Sequence, residues 1–322
     1  MIRATMDTYD VIVIGGGAAG LNGALLLARS RRSVLVVDAG MPRNAPAAGV
    51  HGLLGHDGRP PAELLDRGRA EVRRYGGEIT SGAVASVRRR DDGFVVTLAD
   101  GRASAARRLL VTAGLVDELP DIPGLHERWG RDVLHCPYCH GWEVRDEKIG
   151  VIANGPRSVH QALLFRQLSD DITYFTNESS LTDEEVEQFA ARGITVVSGR
   201  VGSVVVVDDR ITGVRLDSGT AVGVDVVAVM SRMVARAAFL SDLGLHPVPH
   251  PSGIGEHIPV DAGGRTAVPG VWAAGNVTDI AAQVGASAAA GAFAAQQINA
   301  DLVAEDTATA VAAWRAPVAG RS

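Results

Sequence analysis

Two cysteines occur in the 322 residues, three positions apart, as Cys136-Pro137-Tyr138-Cys139. A C-x-x-C can supply half of a structural zinc site or cycle between dithiol and disulphide. Structural zinc needs four ligands, and the chain has no second cysteine pair. His135 and His140 flank the pair, so a His/Cys set is arithmetically possible, but neighbours on one short segment wrap a metal badly. Redox exchange is the stronger reading, no metal is expected, and a pair of inert thiols is the bland alternative. Exchange requires a thiolate, an access path and a destination for protons. His140 follows Cys139 directly, and a neutral imidazole accepts a proton near neutral pH. The plain alternative for His140 is a cap or turn histidine, and His135 stands open between the two roles.

A second constellation lies at the start of the chain. Gly15, Gly17 and Gly20 form G-x-G-x-x-G between the apolar run 10–14 (DVIVI) and the Ala-rich stretch that follows. In such a motif the first glycine makes a tight turn, the second lets backbone approach a pyrophosphate, and the third permits close helix–strand contact. The helix N-terminus then faces the anion. Asp38 ends the next apolar run, SVLVVD at 33–38, where a carboxylate can bond a ribose 2′-hydroxyl. The motif alone does not choose between FAD and NAD.

These residues need a frame, and the pattern of the chain supplies one. Strand, glycine turn, helix and strand at 10–38 read as a β-α-β unit. The stretch 41–61 is irregular and rich in Pro and Gly, and a loop of that length in a compact domain is usually functional. A helix is predicted at 62–75, then short strands around 78–89, 94–100 and 106–114 that form a small antiparallel insertion. A second unit repeats the first: a strand at 148–155, a helix at 158–168, and a strand at 171–177. A further helix opens with Thr182 three residues before Glu185, the spacing of a capping box. Short strands follow, and the C-terminal part offers a strand, a Gly-rich turn and a long small-residue helix. The fold class expected is α/β with two Rossmann-like three-layer domains.

Composition narrows the function classes. Length suits two domains. The apolar fraction is 46%, with 38 glycines, and aromatics are only 4%, so Ala, Val and Leu must fill the core. A net charge of −6 gives no reason to expect nucleic acid or an anionic membrane as partner. Lys148 is the only lysine, and its place at the start of a strand makes it an unlikely Schiff-base site. No apolar run reaches the ~18 residues of a spanning helix. The first ten residues lack the apolar core of a signal peptide, so a cytoplasmic protein is the expectation.

GGGAAG at 15–20, CPYC at 136–139 and GVWAAGNVTD at 270–279 stand in the order found in the low-molecular-weight thioredoxin reductase superfamily of FAD-dependent pyridine nucleotide-disulphide oxidoreductases, and the chain resembles it over its whole length. The resemblance implies an FAD domain split into 1–116 and 245–322, with a degenerate NAD(P)-binding-like domain at 117–244 that carries the cysteine pair. It implies FAD as cofactor, with Gly15, Gly17, Ala18, Ala19, Gly20, Asp38, Ala39, Arg43, Asn44, His51, Val84, Ala113, Gly114, Gly275, Asn276, Gln283 and Val284 around it. Asn276 replaces the family's usual Asp. The catalytic set implied is Cys136, Cys139 and His140, with Cys139 facing the flavin and His140 standing where the reductases carry an Asp. A homodimer is also implied.

Two departures point to a subgroup. The second glycine turn reads Ala153-Asn154-Gly155-Pro156-Arg157-Ser158, with its first glycine lost and a proline inserted. The place where NADPH-dependent members carry an H-R-R-x-x-x-R stretch reads TNESSLTDEE at 176–185. With CPYCHGWE at 136–143, this is similar to the dithiol oxidases that close disulphides in natural products of the gliotoxin and holomycin type. The implied activity is oxidation of a small dithiol, with electrons passing through the cysteine pair and FAD to O2, giving H2O2. An NAD(P)H-dependent disulphide reductase is the alternative.

Overall fold

A computed structural model describes residues 6–316. The run Val11–Ile14 is wholly buried, as expected of a strand covered on both faces. It lies in the strand Thr8–Ile14, the centre of a seven-stranded sheet. Val34–Asp38 pairs parallel on one side and Ala103–Val111 parallel on the other. The strand Ala103–Val111 divides its outer edge. Its N-terminal half pairs antiparallel with Gly93–Leu98, and its C-terminal half pairs parallel with Val271–Ala273 from the far end of the chain.

Alternation along these strands separates two cores. Val11, Val13, Val34, Val36, Leu110 and Trp272 face one side, with helices Ala18–Arg29, Pro61–Arg74 and Val284–Arg315 over them. Ile12, Ile14, Leu35, Val37, Leu109 and Val111 face the other. The first and last helices meet backbone to backbone: a Cβ at Gly291 would fall 1.9 Å from the Ala19 carbonyl oxygen. The small-residue composition of the C-terminal helix thus serves close approach.

A second, five-stranded sheet is wholly parallel. It is built from Ile149–Ile152, Ile172–Phe175, Thr195–Val197, Val226–Val229 and Val133–Leu134. Helices Ser158–Phe165 and Asp183–Arg192 accompany one core, and a three-stranded antiparallel sheet within 201–222 covers the other. The capping box forms: Thr182 Oγ1 accepts the Glu185 N–H and the Glu185 carboxylate accepts the Thr182 N–H. The segments joining the two sheets, Leu115–Glu118 and Arg232–Ala235, pair antiparallel. Ala237 and Leu240 already pack in the first core, so the chain is back there ahead of the expected return at 245. The helix after the second glycine turn ends at Phe165, short of the expected 168. Among the described residues, no helix is long and apolar enough to cross a membrane.

Candidate active site between the two sheets

The glycine turn has the conformation its sequence requires. Gly15 has φ +111°, and a Cβ there would lie 2.3 Å from the Thr112 carbonyl oxygen. A Cβ at Gly20 would lie 1.8 Å from the Gly15 carbonyl oxygen, so Gly20 serves helix–turn packing and does not line the cavity. Gly17 differs from both: apart from its immediate chain neighbours, no protein atom lies within 4 Å of where its Cβ would be. It caps the helix Ala18–Arg29 without a side-chain hydrogen bond. Unpaired N–H groups of a helix N-terminus therefore open onto free space, which is what a pyrophosphate needs. Thr112, from the neighbouring strand, donates its hydroxyl to the Ile14 and Gly15 carbonyls and fixes the turn.

This turn forms one wall of a cavity of about 680 Å³. Ala18, Ala19, Asp38, Ala39, Arg43, Asn44, His51, Val84, Ala113, Gly114, Asn276, Gln283 and Val284 line it with Gly15 and Gly17. Cys136, Cys139 and His140 line it from the second sheet. Gly275 does not. Its φ is +78° and a Cβ there would meet the Ala19 side chain at 2.8 Å, so it lets the strand-to-helix turn settle on the first helix.

Three residues keep company the sequence did not indicate. Asp38 accepts from the Gly40 N–H and from Arg69, at 3.0 and 3.1 Å. Arg69 reads as an ordinary surface arginine of an amphipathic helix, so nothing local signalled it. Arg43 spends two donors on Asp117, both at 2.7 Å, and Asp117 also accepts the Ser231 hydroxyl at 2.5 Å. This cluster ties the loop after Asp38 to both connecting segments. Asn276 donates its amide to the carbonyls of Asp279 and Ala282 at 3.0 and 2.8 Å. An Asp could not make these bonds, and the amide carbonyl oxygen is left for a ligand.

Cys136 caps the short helix Pro137–His140, and its carbonyl accepts the N–H groups of Cys139 and His140. The two Sγ atoms are 2.7 Å apart and both cysteines are free and half-buried. A hydrogen bond from Cys139 draws the Cys136 thiol down to about 7, despite burial, with help from the N–H groups of Cys139 and Tyr138 and the Arg43 charge. The same hydrogen bond, with burial, pushes Cys139 up. One thiolate shared by the pair, centred on Cys136, is the arrangement exchange chemistry needs.

The two histidines differ. Burial, with the Arg43 charge, takes His135 down to about 4. Its Nδ1 accepts the Ser231 N–H at 3.3 Å, and its carbonyl accepts from Gln161 at 2.7 Å. It is a neutral, built-in side chain. His140 is also lowered, chiefly by burial, but its Nε2 is buried without a partner. It makes no hydrogen bond to either sulphur. An orphaned nitrogen in a residue that lines the same cavity as the glycine cradle is what a site shaped for a further bound group leaves behind.

A two-sheet α/β chain with a glycine turn and a C-x-x-C lining one cavity defines a flavin-dependent disulphide oxidoreductase of thioredoxin reductase-like type. The chain belongs to the pyridine nucleotide-disulphide oxidoreductase family, whose pattern matches residues 9–297. It is similar to the solved structure of HlmI, with 49% identity and a TM-score of 0.88, covering 94% of this chain and 95% of that one. It is 32% identical to thioredoxin reductase tcpT of Claviceps purpurea (strain 20.1), over 93% of this chain and 97% of that protein. An oxidoreductase structure from Agrobacterium tumefaciens is 34% identical, with a TM-score of 0.86 over 92% and 99% of the two chains.

Proposed function

We propose that this protein is an FAD-dependent dithiol oxidase that closes an intramolecular disulphide in a small molecule and delivers the electrons to O2 as H2O2. The observation that carries the reading is the second glycine turn, where Asn154 has both its N–H and its side-chain amide bonded within the protein. The Asn154 N–H donates to Ser158 Oγ at 2.9 Å, and the Asn154 amide donates to the Met230 carbonyl at 2.8 Å. Ser158 is fully buried. Pro156 removes a further N–H. The next turn carries Asp183, Glu184 and Glu185 in the first turn of a helix, where a 2′-phosphate would want guanidinium groups. Each of these features works against a nicotinamide dinucleotide's phosphates, and Arg157 is the one guanidinium of the turn.

Bound FAD supplies a two-electron acceptor that can pass its electrons on to oxygen. The first sheet, with the C-terminal helix, is then the flavin-binding unit, and the second sheet presents the cysteine pair to it. Gly17 and the helix N-terminus would hold the pyrophosphate, Asp38 would bond the adenosine ribose, and the Asn276 carbonyl oxygen would accept from a hydroxyl of the linking chain. A substrate thiolate attacks one sulphur of the Cys136–Cys139 disulphide. The second substrate thiol resolves the mixed disulphide, leaving the enzyme dithiol with its thiolate on Cys136. His140 takes and releases protons in the same cavity.

The reductase reading draws on the names of relatives such as tcpT and on Gly155, whose φ of +134° keeps one feature of a nucleotide turn. Anaerobic stopped-flow separates the two. Oxidised holoenzyme is mixed with NADPH, NADH or dithiothreitol, flavin bleaching is followed, and air is then admitted and H2O2 measured. The oxidase reading expects fast bleaching by the dithiol alone, with one H2O2 per disulphide. Fast bleaching by either nicotinamide would overturn it.

A further inference from the structure

Thiol–disulphide exchange in this cavity moves protons as well as electrons. A dithiol R(SH)2 and the Cys136–Cys139 disulphide give a cyclic RS2 and the enzyme dithiol. When the cysteines give up the electron pair and close again, two protons leave the sulphurs; the reduced acceptor would take up one, and the other must leave the site. Reduction of a disulphide substrate brings the same two protons in. His140 follows Cys139 directly, and its Nε2 is buried without a partner, so a proton held on that nitrogen needs another group to pass to.

A line of titratable groups runs outward from it. The Glu143 charge favours the imidazolium form of His140, while burial and the His51 ring oppose it. Glu143 stands three residues on, its side chain 43% exposed, and its Oε1 is 3.4 Å from His51 Nε2. The other ring nitrogen of His51 is 3.5 Å from Asp57 Oδ1, and that side chain is 70% exposed. His51 and His140 both line the cavity. Two segments far apart in sequence, the loop 41–61 and the C-x-x-C turn, thus meet in a contact chain of carboxylate, imidazole and exposed carboxylate that starts three residues after His140.

We propose that Glu143, with His51, is the proton station that connects His140 to solvent during the disulphide half-reaction. Glu143 is a positioning and relay residue here. It touches neither sulphur, and its charge supports the imidazolium form of His140 against the burial that opposes it. The inference rests on the disulphide chemistry of the site, which the oxidase and reductase readings share.

The test uses the full-length holoenzyme and dithiothreitol without oxygen, with flavin bleaching as readout, so that the identity of the final electron acceptor does not enter. Glu143→Gln is expected to slow bleaching by about 10–100-fold, less than a primary acid–base residue because water replaces part of the relay. Added imidazole at constant ionic strength should restore most of the rate, while wild type should not respond. Glu143→Asp should keep most of the wild-type rate without imidazole. The wild type itself should show a normal solvent deuterium isotope effect, a measurement that needs no variant. A Glu143→Gln rate within about twofold of wild type across the pH range, or a slow rate that imidazole leaves unchanged, would overturn the relay. So would a wild-type rate indifferent to deuterium.

Discussion

Replacing Arg43 with Met removes both hydrogen bonds to Asp117 and leaves that carboxylate buried, with the Ser231 hydroxyl as its remaining partner. The Asp117 side chain is 7% exposed and that of Arg43 25%. Breaking one side of a buried pair costs about 3–5 kcal/mol, and partial exposure of Arg43 reduces this to ~2–3 kcal/mol. Asp117→Asn alone strands a guanidinium that can reach water and should cost less, ~1–2 kcal/mol. The double variant strands no charge, so its cost should fall short of the sum by ~1–2 kcal/mol. Denaturant unfolding of holoenzyme, followed by far-UV circular dichroism and flavin fluorescence, measures the cycle. Burial works to raise the Asp117 carboxyl, but the hydrogen bonds and charge of Arg43 outweigh it and hold the group below its ordinary value. The contribution is therefore present above the unfolded carboxylate pKa and lost as pH falls through the depressed folded one. Wild type should lose its lead over Arg43→Met as the medium is acidified. Strict additivity of the two substitutions, or a lead that grows in acid, would refute the account.

Gly17→Val projects a side chain into the open cradle and should abolish flavin binding with circular dichroism unchanged; retained flavin after reconstitution would remove Gly17 from the pyrophosphate site. In the reduced enzyme, alkylation of Cys136 by iodoacetamide should rise with pH around about 7 and then level, while Cys139 stays protected until higher pH; peptide mapping by mass spectrometry reads both. Cys136→Ser and Cys139→Ser should each keep the flavin and lose multiple turnover of dithiothreitol, measured as disulphide product per enzyme. Sustained turnover in both would exclude the pair as the working centre.

Local patterns carried a good part of this architecture. The run Val11–Ile14, the glycine spacing and the Thr182–Glu185 box each depend on neighbours a few residues away, so their geometry could be read from the chain. The cysteine spacing likewise placed both sulphurs on one turn. Arg69 on Asp38, Thr112 on the glycine turn and Asp117 on Arg43 are different. Each joins segments separated by a fold-level crossing, and nothing in the residue type marks it. The loop 41–61 stood out by its length and composition, but neither feature could say that His51 would meet Glu143. The hydrogen bonds of Asn276 to the carbonyls of Asp279 and Ala282 show the same limit: a change of residue was visible, while the backbone groups that make an amide fit were not.

The divided outer edge of the strand Ala103–Val111 sets an order of events during synthesis. Its N-terminal half closes early, against the adjacent hairpin strand. Leu109–Val111 must wait for Val271–Ala273, which emerges from the ribosome only after the entire second sheet. Until then an unpaired edge and the apolar face that receives the C-terminal helix stand open to water and to other chains. The second sheet can complete its strand pairing while the first is still unfinished. The first sheet therefore cannot be complete in any chain that stops short of Val271, and truncation before Val271 should yield aggregation instead of a smaller working unit.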